Sequence, residues 1–114
     1  MAFPRIFDFR SSGADPAVVP HDEMVKICAA GECAIIDVRE PHEFRSGHIH
    51  GSLNVPMSSF HPSRVPADRP VVLVCLSGAR SAGALRMLKA SGHDKVRHYK
   101  AGITGWRLQG GKLV

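Results

Sequence analysis

An α/β fold, with a mainly parallel central sheet of about five strands and helices on both faces, is predicted by three observations. Short runs of apolar β-formers alternate along the chain with stretches of helical spacing. The most apolar run, Val71-Val72-Leu73-Val74, has no polar alternation, which marks a strand covered on both faces. It leads directly into Cys75-Leu76-Ser77-Gly78-Ala79-Arg80-Ser81 and then an Ala/Leu/Met-rich helical pattern, a strand–loop–helix unit.

The elements follow in order. Residues 1–17 read as an extended arm, broken by Pro4 and Pro16, with Phe3, Ile6, Phe7 and Phe9 as anchors to the body. The remaining chain, 18–114, reads as one domain. His21–Ala30 is a short helix that starts after Pro20, puts Met24, Ile27 and Cys28 on one face and ends at Gly31. Ala34–Val38 is a strand running into the polar Arg39-Glu40-Pro41 turn. Glu43–Ser46 is a helical turn closed by Gly47, and Ser52–Val55 is a second strand closed by Pro56. Three prolines between Met57 and Pro70 indicate a loop with one short helix. Val71–Val74 is the central strand. Ser81–Ser91 is a helix with Leu85 and Leu88 inward, Arg86 and Lys89 outward and Gly92 as its stop. Lys95–Tyr99 is the last strand and Ile103–Gln109 a final helix between Gly102 and Gly110. In a parallel sheet, ligands bind beyond the carboxyl ends of the strands. Three loops would meet there: Asp37–Pro41, Cys75–Arg80 and Lys100–Gly102.

At 114 residues, 44% apolar and 22% charged, the chain has ordinary globular composition. No apolar run approaches the ~20 residues of a membrane span, so no membrane role is expected. Pro4, Arg5, Asp8 and Arg10 interrupt any secretory core at the start, and three cysteines suit a reducing compartment. A cytoplasmic setting follows as an expectation. The net charge of +5 is unevenly placed. From Arg80 onward eight basic residues face one acid, Asp94, whereas Met1–Glu43 holds four basic and eight acidic residues. A basic half around the cysteine loop suits a small anionic substrate. Nucleic acid is not expected, because the basic residues are scattered singly and one Trp and one Tyr supply no stacking platform.

Cys75 sits where the backbone amides of Leu76 to Arg80 can curl around its sulfur while the positive end of a helix points at it. Arg80 would add a permanent cation. A cation at a helix start is mildly unfavourable unless an anion lies beside it. Such a site favours thiolate over thiol, and thiolate is the nucleophile. Ser77 and Ser81 either donate to the sulfur or cap the helix. Asp37 and Arg39 read as structural support, a buried acid bracing its loop and an ion pair with Glu40 or Glu43. Cys28 reads as core filler, and Cys28 with Cys33 lacks the second ligand pair a zinc site needs. His48 and His50 lack a third ligand, so no metal is expected. Trp106 reads as core, joining the last helix to the sheet.

Four stretches in order resemble the rhodanese-like domain family: Asp37-Val38-Arg39-Glu40, Phe44 to Pro56 with His48-Ile49-His50-Gly51, the Cys75–Ser81 loop, and Ala101-Gly102-Ile103-Thr104-Gly105-Trp106. The resemblance spans roughly residues 18–113, the length of a single domain. It implies a sulfurtransferase in which Cys75 takes sulfane sulfur from a small anionic donor such as thiosulfate and carries it as a persulfide. Cyanide, a thiol or a protein acceptor would then remove it. Leu76, Ser77, Gly78, Ala79, Arg80 and Ser81 would form the persulfide-binding loop, and no cofactor or metal is implied. Leu76 and Ala79 are uncharged where thiosulfate-preferring members often carry a basic residue. Two alternatives remain. Related phosphatases and arsenate reductases have a loop one residue longer, sized for a tetrahedral oxyanion. Non-catalytic binding modules of the same fold typically lack the cysteine.

Overall fold

The computed structural model describes residues 15–114; the arm's aromatic anchors, Phe3 to Phe9, lie outside them. Four strands form one sheet: β1 (Ala34–Asp37), β2 (Leu53–Asn54), β3 (Val71–Val74) and β4 (Val96–His98), in the order β2-β1-β3-β4. Every pairing is parallel. Four α-helices accompany them: α1 (His21–Ala30), α2 (Pro41–Arg45), α3 (Ala79–Ala90) and α4 (Gly102–Leu108). Two short 3-10 turns, Met57–Ser59 and Pro62–Arg64, break the loop before β3, where one short helix was expected. The sheet has four strands among the described residues, not about five. What remains of a fifth is a single parallel bridge from Val18 to His98. Pro16 and Pro20 bracket that bridge, and proline cannot donate to a ladder.

Alternation along the strands sorts the core into two layers. Ala34, Ile36, Val71, Leu73 and Cys75 face one side and pack with Ala84 and Leu88 of α3. Ile35, Val72 and Val74 face the other and pack with Met24 of α1 and with Ile103 and Trp106 of α4. The period-two rule therefore decides the cysteine's side. Cys75 follows Val71 and Leu73 onto the α3 face, under the start of that helix. The fully buried, non-alternating β3 is flanked by β1 and β4, in keeping with its apolar sequence. An Arg97–Glu23 ion pair, with contacts of 2.6 and 2.9 Å, ties the edge strand to α1.

Three helices are shifted toward the N-terminus relative to the sequence expectation, α4 by one residue at each end (Gly102–Leu108) and the starts of α2 and α3 by two. α2 begins at Pro41, two residues before Glu43, because Glu40 and Glu43 form a reciprocal capping box with proline in the first turn. α3 begins at Ala79, two residues before Ser81, because Gly78 takes a left-handed conformation (φ 104°) and starts the helix immediately. Among the described residues, no helix is long and apolar enough to cross a membrane.

Candidate active site

β3 ends at Val74, and the chain turns over the top of the sheet through Cys75–Gly78 into α3. The Cys75 Sγ accepts the amides of Gly78 at 3.1 Å and Ser81 at 3.3 Å, and lies 3.6 Å from the Ser81 hydroxyl. Burial pushes the thiol up. The Ser81 hydroxyl and the amides of Ser81, Gly78 and Ser77 outweigh it, and the net displacement is downward. The amides that hydrogen-bond the sulfur are thus those of Gly78, one of the stretch from Leu76 to Arg80 that the sequence offered, and Ser81, which lies beyond it. Cys75 itself is 1% exposed, while Leu76, Ser77 and Ala79 around it are exposed.

The peptide after Cys75 is held from beneath by α4. The amide of Ile103 donates to the Cys75 carbonyl at 2.9 Å, and that of Thr104 to the Leu76 carbonyl at 3.1 Å. Lys100–Gly102 therefore reaches the cysteine loop, as the parallel topology requires. Beside the loop opens a hollow of about 380 Å³ lined by Leu76, Ile103, Thr104, Arg107 and Leu108. A hollow of the same volume lies at the opposite edge, around Arg69, Pro70 and His93 to Lys95, and shares no residue with the loop.

Arg80 does not stand as a free cation over the sulfur. Its guanidinium grips Glu43 of α2 through Nη1–Oε1 at 2.7 Å and Nη2–Oε2 at 3.1 Å. The anion that offsets a cation at the start of α3 is the protein's own carboxylate. Arg80 pulls the Glu43 carboxyl down from its ordinary 4.5 to about 2, with help from the Glu40 amide against some burial. The pair therefore contributes fully above about pH 4.5, and its contribution is lost as pH falls toward 2. For a partly exposed pair that contribution is about 0.2–1 kcal/mol. Melts of wild type and Glu43→Gln are expected to differ by this amount near neutrality and to converge in strong acid.

Arg39 does not pair with Glu40 or Glu43 as the sequence suggested. Its partner is Asp37, held through Nε at 3.0 and 3.2 Å and Nη2 at 2.8 Å, with both side chains essentially out of water. The remaining guanidinium donors go to the carbonyls of Glu43 and Gly47. Asn54, which the sequence reading passed over, donates to the carbonyls of Asp37 and Arg39 and fixes the start of this loop. A second residue missed was His98, whose Nδ1 lies 2.8 Å from the Ser81 hydroxyl. Its signal was present: with Val96 it occupies the alternate, inward-facing position of β4, where another hydrophobe would be expected.

The other singled-out residues have ordinary roles in this structure. Cys28 and Cys33 are half-buried against the second core layer, and burial pushes both thiols up. His48 stacks on Phe44 at 3.8 Å and its Nδ1 lies 2.9 Å from the Phe44 carbonyl. Trp106 packs edge-on to Tyr99 and donates its indole N–H to the Lys112 carbonyl.

A family model for the rhodanese-like domain matches residues 20–109. The chain is 38% identical over 81 residues to the uncharacterised protein YqhL of Bacillus subtilis, a match covering 69% of this chain and 62% of that protein's length. A sulfurtransferase of Allochromatium vinosum is 37% identical over 82 residues, covering 70% of this chain and 77% of the relative. Among solved structures, a rhodanese-related protein from Thermoplasma volcanium superposes with a TM-score of 0.77 at 26% identity, covering 85% of this chain and 96% of that one.

Proposed function

The chain belongs to the rhodanese-like domain family, and on that premise we propose that it is a sulfurtransferase working through a Cys75 persulfide. The observation that carries this reading is the sulfur's seat, in which two backbone amides at 3.1 and 3.3 Å and one hydroxyl converge on Sγ. Donors fixed in place before the reaction stabilise negative sulfur without reorganising. The thiolate attacks the outer sulfur of a donor such as thiosulfate. A new S–S bond forms at Cys75, the donor's S–S bond breaks, and its electron pair leaves with sulfite. A thiolate or cyanide then attacks the outer sulfur of the persulfide, and the Cys75–sulfur bond returns its pair to Cys75. Every step is a nucleophilic displacement at sulfur, so neither metal nor organic cofactor enters the scheme.

The seat stabilises the anion chiefly through amides and a hydroxyl, since the Arg80 charge is already matched by Glu43. Leu76, exposed at the rim, offers an incoming donor no charge. The partners on this reading are a sulfane-sulfur donor, probed with thiosulfate, and a thiophilic acceptor, cyanide or a thiol, a protein thiol included.

The test is an intact mass. Incubated with thiosulfate, wild-type protein is expected to gain one sulfur atom and lose it to cyanide, while Cys75→Ser gains none. No adduct in wild type, or one that persists in Cys75→Ser on Cys28 or Cys33, overturns the reading. Hydrolysis of an aryl phosphate that disappears in Cys75→Ser would favour phosphatase chemistry instead.

A further inference from the structure

Behind the sulfur lies a hydrogen-bond chain that the displacement scheme does not use. The Ser81 hydroxyl stands 3.6 Å from Cys75 Sγ, 2.8 Å from His98 Nδ1 and 3.2 Å from the Gly78 carbonyl. Cys75, Ser81 and His98 are all buried. Ser81 has one proton to give and three neighbours able to accept it: the carbonyl always, the imidazole when Nδ1 is bare, and the sulfur when it is anionic.

We infer that His98 is a positioning residue that acts through Ser81, turning its hydroxyl toward Cys75 when the sulfur is anionic and away from it when the sulfur is a thiol. The inference rests on the thiolate chemistry proposed above. In the thiol state S–H donates to Ser81 Oγ, and Ser81 O–H donates to a bare Nδ1. In the thiolate state the directions reverse: Nδ1–H donates to Oγ, and O–H donates to the sulfur. Passing between them moves each proton by one link. The sulfur's proton goes to Oγ, the hydroxyl's proton goes to Nδ1, and the resulting imidazolium releases its Nε2 proton to water. No electrons change hands.

The surroundings favour a neutral ring at the end of that sequence. The imidazole is bonded to Ser81 of α3, with Cys75 beyond it at the end of β3, and the charges that act on it are Asp15, from the segment beside β4, and Lys100, from the loop after it. Burial holds the imidazole below its usual range; Asp15 pulls it back up in part and Lys100 pushes it down. The proton therefore passes through His98 and does not rest there near neutral pH. Without Nδ1–H behind it, the Ser81 hydroxyl has the Gly78 carbonyl, three residues back, as its standing alternative.

The experiment is the pH profile of iodoacetamide alkylation, read on the Cys75 peptide so that Cys28 and Cys33 do not contribute. It is run on wild type, His98→Phe, His98→Asn, Ser81→Ala and the Ser81→Ala/His98→Phe pair. His98→Phe is expected to move the Cys75 midpoint upward and slow alkylation near neutral pH about tenfold, the worth of one hydrogen bond to a charged group. His98→Asn, whose amide N–H can stand where Nδ1–H stood, is expected to restore most of the rate. The double variant is expected to be no slower than Ser81→Ala alone, because His98 reaches the sulfur only through that hydroxyl. An unchanged midpoint in His98→Phe, an Asn variant as slow as Phe, or additive effects in the pair would each overturn the inference. Sulfur transfer is scored separately on the same proteins. A wild type that titrates as described yet takes no sulfur would overturn the proposed function and leave the relay standing.

Discussion

Replacing Arg39 by methionine is expected to cost about 3–5 kcal/mol of folding stability, the usual consequence of removing one member of a buried ion pair. Asp37 is fully buried, and three of its contacts come from the Arg39 side chain. After the substitution its carboxylate would keep the Arg39 backbone amide at 3.0 Å and little else. The carbonyls of Glu43 and Gly47 would lose their guanidinium donors at the same time. Against a typical total of 5–15 kcal/mol this is a large share, and urea titration would register it as a lower midpoint at unchanged slope. Replacing both partners, as Asp37→Leu with Arg39→Met, is expected to recover a good part of the loss, because no uncompensated charge then stays behind. A single-variant cost under about 1 kcal/mol, in the range of exposed pairs, would show that water reaches the pair.

Gly102→Ala is expected to be comparably severe, by about 2–5 kcal/mol, and to slow the cysteine as well. A methyl on Gly102 would lie 2.2 Å from the Leu76 oxygen, 2.6 Å from its carbonyl carbon and 2.8 Å from the Cys75 oxygen. All three are backbone atoms, so no side-chain rotation can make room. The left-handed φ of 69° adds about 1–2 kcal/mol, and the forced displacement about 1–3. The peptide that must move is the one the α4 amides hold, between the nucleophile and its loop. The variant's melting temperature should fall and its Cys75 alkylation at neutral pH should slow together. A melt within a degree of wild type would mean that the α4 start shifts freely and does not hold the loop.

Much of the architecture was legible because each element carries a local signal. The undiluted apolar run of β3, the Pro20 and Gly31 that bracket α1, and the 3.6-residue period of α3 depend on neighbours within a turn or two. The start of α2 was equally local but unread, since Glu40-Pro41 followed by Glu43 spells out the capping box that begins it. β2 is two residues long, too short for period to declare its ends. At the cysteine, the strand–loop–helix frame could be read from the sequence, but the partners of its charged residues could not. Arg80 meets a carboxylate 37 positions away, and nothing in the spacing separates Glu43 as its partner from Glu43 as the partner of Arg39. His98 reaches Ser81 only because β4 runs parallel beside β3 and α3 covers that face. Both pairings are products of topology, which becomes visible once the sheet order is known.

The grip of Arg80 on Glu43 has a consequence for substrate choice. On the proposed chemistry, an incoming dianion would meet a guanidinium already matched by Glu43, and would have to displace a carboxylate tethered at high local concentration to gain its attraction. A neutral polysulfide has no such rival to displace. On that chemistry the Glu43 carboxylate of α2 would thus lower the site's preference for a dianionic sulfur carrier relative to an uncharged one, by competing for the Arg80 guanidinium.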